Sequence, residues 1–311
     1  MFYPKGVYPA MLMPFDQERL VNESELRKYV EFLINNGLHG LFPLSSVGES
    51  VHMSLAEKER ALNIVVDQCA GRIPVTPGVG SSNTKEARAM AKIAEKLGCP
   101  AVVVAPPYFY TVSNEVMERY FESICDAVDI GIILYNIPLF TQPMDYDVVK
   151  RLSRRENVVG MKDSSGSMVD FMHFIDKVRI AEGKLNFMTG REEAFFPSLS
   201  MGGKGCMTGT AGILPEIMVA IYDAFMAKDY ERSLELQRMI PNLVRAMFAV
   251  QFPLGFKAAL EMRGFDMGPA WQPLSDGETY HYNSVKSRIR MILGPILAQI
   301  KDLKKEEGVQ K

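Results

Sequence analysis

Eight short apolar runs, each followed by an amphipathic stretch, constrain this chain more than any other feature. They occupy 6–15, 40–45, 73–80, 100–107, 130–138, 157–163, 184–190 and 202–209. "PAVVVAPP" and "IGIILYNIP" are apolar at consecutive positions rather than alternate ones, the pattern of a strand buried on both faces. The stretches between the runs open on good helix caps. Asn22 precedes "ESELRKYVEFLINNG", Ser54 precedes "LAEKERALNIVVDQCAG" with Glu57 at capping-box spacing, and Asn83 precedes "TKEARAMAKIAEKLG". Ser113 or Asn114 opens "EVMERYFESICDAV". Strand and helix in alternation mean parallel strands with helical crossovers, and eight such units in about 230 residues fit a closed (β/α)8 TIM barrel, an α/β fold. The doubly wound alternative wants a glycine-rich first turn, whereas the first run here ends in "MPFDQE". The barrel is expected over 1–225. Helical patterns at 229–249, 253–264 and 282–303 predict a C-terminal extension, 226–311, packed on the barrel as one structural unit.

Charge and composition remove several functions. A formal net charge of −2 provides no global basic field for nucleic acid or an anionic membrane. No run approaches the roughly 18 apolar residues that span a bilayer. The opening "MFYPKGVYPAMLMPF", broken by three prolines, does not read as a signal peptide. Cys69, Cys99, Cys125 and Cys206 are far apart and form no CxxC pair, which suits a reducing, cytoplasmic setting. His39, His52, His173 and His281 lack metal-ligand spacing, so no metal is expected.

In such a barrel the chemistry sits where strands end. The strand ends deliver "SSVGES" (45–50), "PPYFY" (106–110), Tyr135 with Asn136, Lys162, "TGREE" (189–193), and Thr208 with Gly209. Lys162 closes an apolar run, "VVGM", just before the polar turn "DSSG". Desolvation favours the neutral amine, which can attack a carbonyl and form a Schiff base. A single strand-end lysine is more often a rim lysine that snorkels outward or pairs with Asp163. Tyr135, on the neighbouring strand end, supplies a phenol able to relay protons. The "SSVGES" turn supplies hydroxyls and backbone N–H groups for a small carboxylate. Each has a plain structural reading, as a rim tyrosine and as a turn with an N-cap. The three together at barrel strand ends point to imine chemistry.

The set "GLFPLSSVGES", "YNIP" and "GMKDSSG", in that order and spacing, resembles the dihydrodipicolinate synthase / N-acetylneuraminate lyase family over roughly residues 4 to 300. The resemblance implies a class I aldolase or lyase that acts on pyruvate or another 2-oxo acid, needs no cofactor, and assembles as a homotetramer, a dimer of dimers. It implies that Lys162 forms the imine, that Tyr135 shuttles protons, and that Ser46 helps hold the 2-oxo acid carboxylate, with Gly48 and Glu49 completing the turn.

Departures from the family pattern carry their own expectations. Val47 stands where a second hydroxyl is usual, leaving only its N–H for a carboxylate. Phe140 replaces an arginine that binds the second substrate in the synthases, which disfavours 4-hydroxy-tetrahydrodipicolinate synthase activity. Phe109 replaces a tyrosine that reaches across a dimer interface. In the turn that opens with Gly190, Glu192 and Glu193 stand in register with an acidic pair that binds sugar hydroxyls in sialic acid lyases; Arg191 before them is able instead to reach an acidic group on the substrate, and Thr208 ends the last strand. The two glutamates suit a polyhydroxy tail, and equally suit the start of a helix. The expected reaction is therefore aldol cleavage or condensation on a 2-keto-3-deoxy sugar acid or a related 4-hydroxy-2-oxo acid. Dehydration of such an acid, or binding without catalysis, are the alternatives.

Overall fold

The structure, a computed structural model, describes residues 1–309; Gln310 and Lys311, the end of the expected extension, lie outside it. Six parallel strands form one sheet: β1 (Gly6–Pro9), β2 (Ala101–Val104), β3 (Gly131–Asn136), β4 (Val158–Asp163), β5 (Asn186–Thr189) and β6 (Gly205–Thr208), in the order β1-β6-β5-β4-β3-β2. Nearly every strand residue is buried, as the unbroken apolar runs require.

The two remaining expected strands, 40–45 and 73–80, do not form continuous ladders. They pair at single parallel bridges, Ala10 with Phe42, Leu41 with Val75, and Gly78 with Val103. The cause lies in their prolines. Pro43, Pro74 and Pro77 have no N–H to donate, though each still accepts through its carbonyl, from Gly78, Leu41 and Val103 respectively. Pairing nevertheless runs from β2 through both segments back to β1, so the parallel sheet curls round on itself.

Helices follow the strands where the caps place them. The side chains of Asn22, Ser54, Asn83 and Ser113 each accept an N–H from the first turn of the helix they open. Ser113 is thus the cap, and Asn114 is already helical. Beyond residue 229 the pattern differs from expectation. The stretch 229–249 is two helices, Tyr230–Gln237 and Pro241–Met247, because Pro241 can begin a helix but cannot continue one. Helices Leu254–Glu261 and Asp276–Val309 complete the chain, and the last begins six residues before the expected 282. Among the described residues no helix is long and apolar enough to cross a membrane.

Candidate active site

Strand register sets the site. Tyr135 is the register partner of Lys162, and Lys162 in turn partners Met188. Register partners on parallel strands turn their side chains to the same side of the sheet. The Lys162 ammonium nitrogen therefore lies 4.0 Å from the Tyr135 ring centroid and 4.8 Å from that of Phe42. Lys162 is 3% exposed. It makes no ion pair among the described residues, and Asp163 is not its partner. One step along each strand, Asn136 and Asp163 face the other way. Asn136 Nδ2 donates to Asp163 Oδ1 at 2.7 Å, and Ser165 adds its hydroxyl at 2.7 Å and its N–H at 3.2 Å. Burial raises the Asp163 carboxyl above its ordinary range, opposed by these hydrogen bonds. This outward pair ties the two strand ends together and leaves Lys162 alone on the inward side.

Ser46 completes the group. Its hydroxyl lies 3.4 Å from that of Tyr135. In the "SSVGES" turn, Gly48 N–H donates to the Ser45 carbonyl and hydroxyl, and Glu49 N–H to the Ser46 carbonyl. Those two amides are occupied, so the N–H groups of Ser46 and Val47 are the ones open to a carboxylate. Gly48 is needed for fit. A Cβ there would come within 2.6 Å of the Met11 carbonyl. Glu49 takes the left-handed conformation, φ 58°. Its carboxylate meets Lys257 at 2.8 Å, both side chains nearly fully buried.

Ser46, Val47, Tyr135, Phe140, Lys162, Gly190, Arg191 and Glu192 all line one small cavity of about 50 Å³. Gly190 makes room for the lysine, since a Cβ there would sit 2.6 Å from Lys162 Cε and would also clash with the Ser164 hydroxyl. Arg191 Nε donates to the Ser164 carbonyl at 3.0 Å, and its guanidinium lies 5.7 Å from the Phe248 ring. Glu192 is buried, and one carboxylate oxygen accepts from both the N–H and the hydroxyl of Thr210. Burial raises its carboxyl above the usual range.

Four expected site residues line neither this cavity nor its larger neighbour. Gly48 is enclosed by the turn. Glu193 is exposed, because the turn after β5 buries only the first of the two glutamates. Thr208 is buried but faces away, since strand alternation turns Met207 and Gly209 to the cavity instead. Phe109 is 88% exposed with φ 80°, packed edge-on against Tyr110, while Tyr108 turns inward to the larger cavity.

Other wall residues escaped sequence reasoning. Phe248, Phe252 and Phe256, from the C-terminal helical region, close one side of the small cavity. Their spacing of four was a visible stripe, although Pro253 obscured it as a helical signal. Phe42 and Lys257 carried no signal beyond their residue types.

A buried lysine beside a tyrosine at adjoining strand ends of a curled parallel α/β sheet is an arrangement able to support imine chemistry of the class I lyase kind. Comparison with known proteins places the chain within that class. It belongs to the dihydrodipicolinate synthetase family, whose family model matches residues 3–292, a family of class I pyruvate-dependent aldolases. It is 35% identical over 278 residues to the 4-hydroxy-tetrahydrodipicolinate synthase of Methanopyrus kandleri, covering 88% of this chain and 92% of that one. A crystal structure of a dihydrodipicolinate synthase is similar with a TM-score of 0.86 at 29% identity, covering 94% and 99% of the two chains. The Acinetobacter baumannii dihydrodipicolinate synthase, solved in complex with pyruvate, is similar with a TM-score of 0.85 at 26% identity, covering 94% and 99%.

Proposed function

We propose that this chain is a Schiff-base aldolase or lyase that makes or breaks a carbon–carbon bond between pyruvate and an aldehyde. The observation that carries the reading is Lys162, buried without an acid partner among the described residues and held against the Tyr135 ring. Its amine attacks the 2-oxo carbon, and loss of water yields the imine. The imine draws electrons from the neighbouring methyl carbon, which loses a proton to give an enamine. The enamine carbon attacks an aldehyde carbonyl, whose π electrons move to oxygen and take up a proton. Hydrolysis frees the amine. Tyr135 and Ser46, with hydroxyls 3.4 Å apart, form the relay that moves these protons. The carboxylate is held by the Ser46 hydroxyl and the open N–H groups of Ser46 and Val47.

Barrel and C-terminal helices act as one unit in this reading, supported by the Glu49–Lys257 pair and by three C-terminal phenylalanines in the cavity wall. The exposed rings of Phe109 and Tyr110 support assembly with further copies, in line with the expected homotetramer.

The names of the relatives favour a second reading, 4-hydroxy-tetrahydrodipicolinate synthase, through the same imine. Phe140 at the cavity mouth weighs against it, since it offers no cation to a second carboxylate. The sugar-acid expectation loses support too. Glu193 is outside the cavities and Glu192 is engaged with Thr210.

Exchange of pyruvate methyl protons with deuterated water tests the proposal, because exchange requires the enamine and no second substrate. Exchange in the wild type and none in Lys162→Ala supports it. Equal exchange in both removes the imine reading.

A further inference from the structure

A second cavity of about 270 Å³ adjoins the one at Lys162 and shares Ser46, Tyr135, Ile137, Phe140 and Phe252 with it. The small cavity is on the scale of the body of a short 2-oxo acid already bonded through nitrogen. The larger is about five times its volume and leaves room for a bulkier second substrate.

Its walls are aliphatic and aromatic: Val103 from β2, Phe42, Leu44 and Ala105 from the strand-like segment 40–45 and the end of β2, with Phe140 and Phe252 at the mouth. The last two rings lie 5.2 Å apart. Among the described residues lining it there is no lysine or arginine. Its one carboxylate, Glu49, is committed to Lys257. The polar side chains left are Ser45, Ser46, Ser50, His52, Tyr108, Tyr135 and Thr141; the Ser45 hydroxyl donates to the Met11 carbonyl, and His52 is stacked on Trp271 with centroids 5.1 Å apart. A charged aldehyde would lose its water here without gaining a counter-ion. A polyol would leave most of its hydroxyls against carbon. An apolar ring would be desolvated favourably and would pack against the rings of Phe140 and Phe252.

We infer that the second substrate is an uncharged, apolar aldehyde of aryl or branched-alkyl class, seated in this larger cavity; the inference rests on the imine reading above. The former methyl carbon of pyruvate bonds to the aldehyde carbon. The carbonyl oxygen takes a proton, and water releases a 4-hydroxy-2-oxo acid carrying the apolar group at C4. No electron donor or acceptor is consumed.

The experiment gives the full chain pyruvate with benzaldehyde, D-glyceraldehyde or succinic semialdehyde, and follows the condensation product by mass. Deuterium exchange into pyruvate is run alongside. The expected result is condensation with benzaldehyde at a kcat/KM at least about tenfold above the other two, a discrimination that apolar contacts can supply. Phe140→Arg should shift the preference toward succinic semialdehyde. Preference for glyceraldehyde or succinic semialdehyde in the wild type, or no condensation with any of the three, overturns the inference when exchange is intact and leaves the imine reading standing. Absence of exchange overturns both.

Discussion

Lys162 and Tyr135 are register partners on adjacent parallel strands, and the lysine nitrogen lies 4.0 Å from the centroid of the tyrosine ring. The phenol thus reaches past the amine toward Ser46, 3.4 Å away, so ring and hydroxyl serve different ends. Tyr135→Phe separates them. The ring remains against Lys162, and only the relay is lost. Deuterium exchange should fall by about 10²- to 10⁴-fold, the usual worth of a positioned acid–base group. Circular dichroism and the urea midpoint should be nearly unchanged. Exchange at the wild-type rate would remove the tyrosine from the proton path.

Gly190→Ala should act on Lys162 directly. The added methyl would lie 2.6 Å from Lys162 Cε. The lysine chain and the Ser164 hydroxyl can both move, so overpacking should cost only about 1–3 kcal/mol. The displaced amine should form the imine poorly. A variant that folds and reacts with pyruvate as the wild type does would show that the glycine is not there for the lysine.

Lys257→Met tests the link between the strand-two turn and the C-terminal helices. It leaves the Glu49 carboxylate buried without its partner, and breaking a buried pair in this way costs about 3–5 kcal/mol. Adding Glu49→Gln should recover most of that loss in urea denaturation. Additive losses would mean that the two residues act separately.

The Glu192 carboxyl carries a pH signature. Burial holds it above its ordinary 4.5, so the folded state binds this proton more tightly than the unfolded state does. Its stabilising contribution is complete below 4.5 and is lost as pH rises through the folded-state value. Glu192→Gln keeps an oxygen for Thr210 and does not titrate. The variant should therefore gain in urea midpoint relative to wild type as pH is raised above 4.5. A difference that stays flat would mean that the carboxyl is not shifted.

The alternation of strands and helices was legible because both-face burial and helix caps leave local marks. Runs such as "GIILYN", and caps such as Ser54 with Glu57, carry their signal within a few residues. Lys162, Tyr135 and Ser46 were legible because strand ends converge at one face of a barrel. What local sequence could not show was phase and partnership. Thr208 and Met207 differ by one residue, and only the pleat decides which faces the cavity. Glu192 and Glu193 look alike until one is buried against Thr210. Lys257 meets Glu49 across more than two hundred residues of chain, a distance at which no motif operates. The two proline-bearing strands read as ordinary apolar runs, because apolarity records burial and not the N–H groups a ladder needs.

Borohydride reduction in the presence of pyruvate tests the central claim most directly. The account predicts a stable pyruvate-derived mass on the intact wild-type chain, mapped to the peptide containing Lys162 and missing in Lys162→Ala. No adduct on the wild type, or an equal adduct at another lysine in the variant, would contradict it.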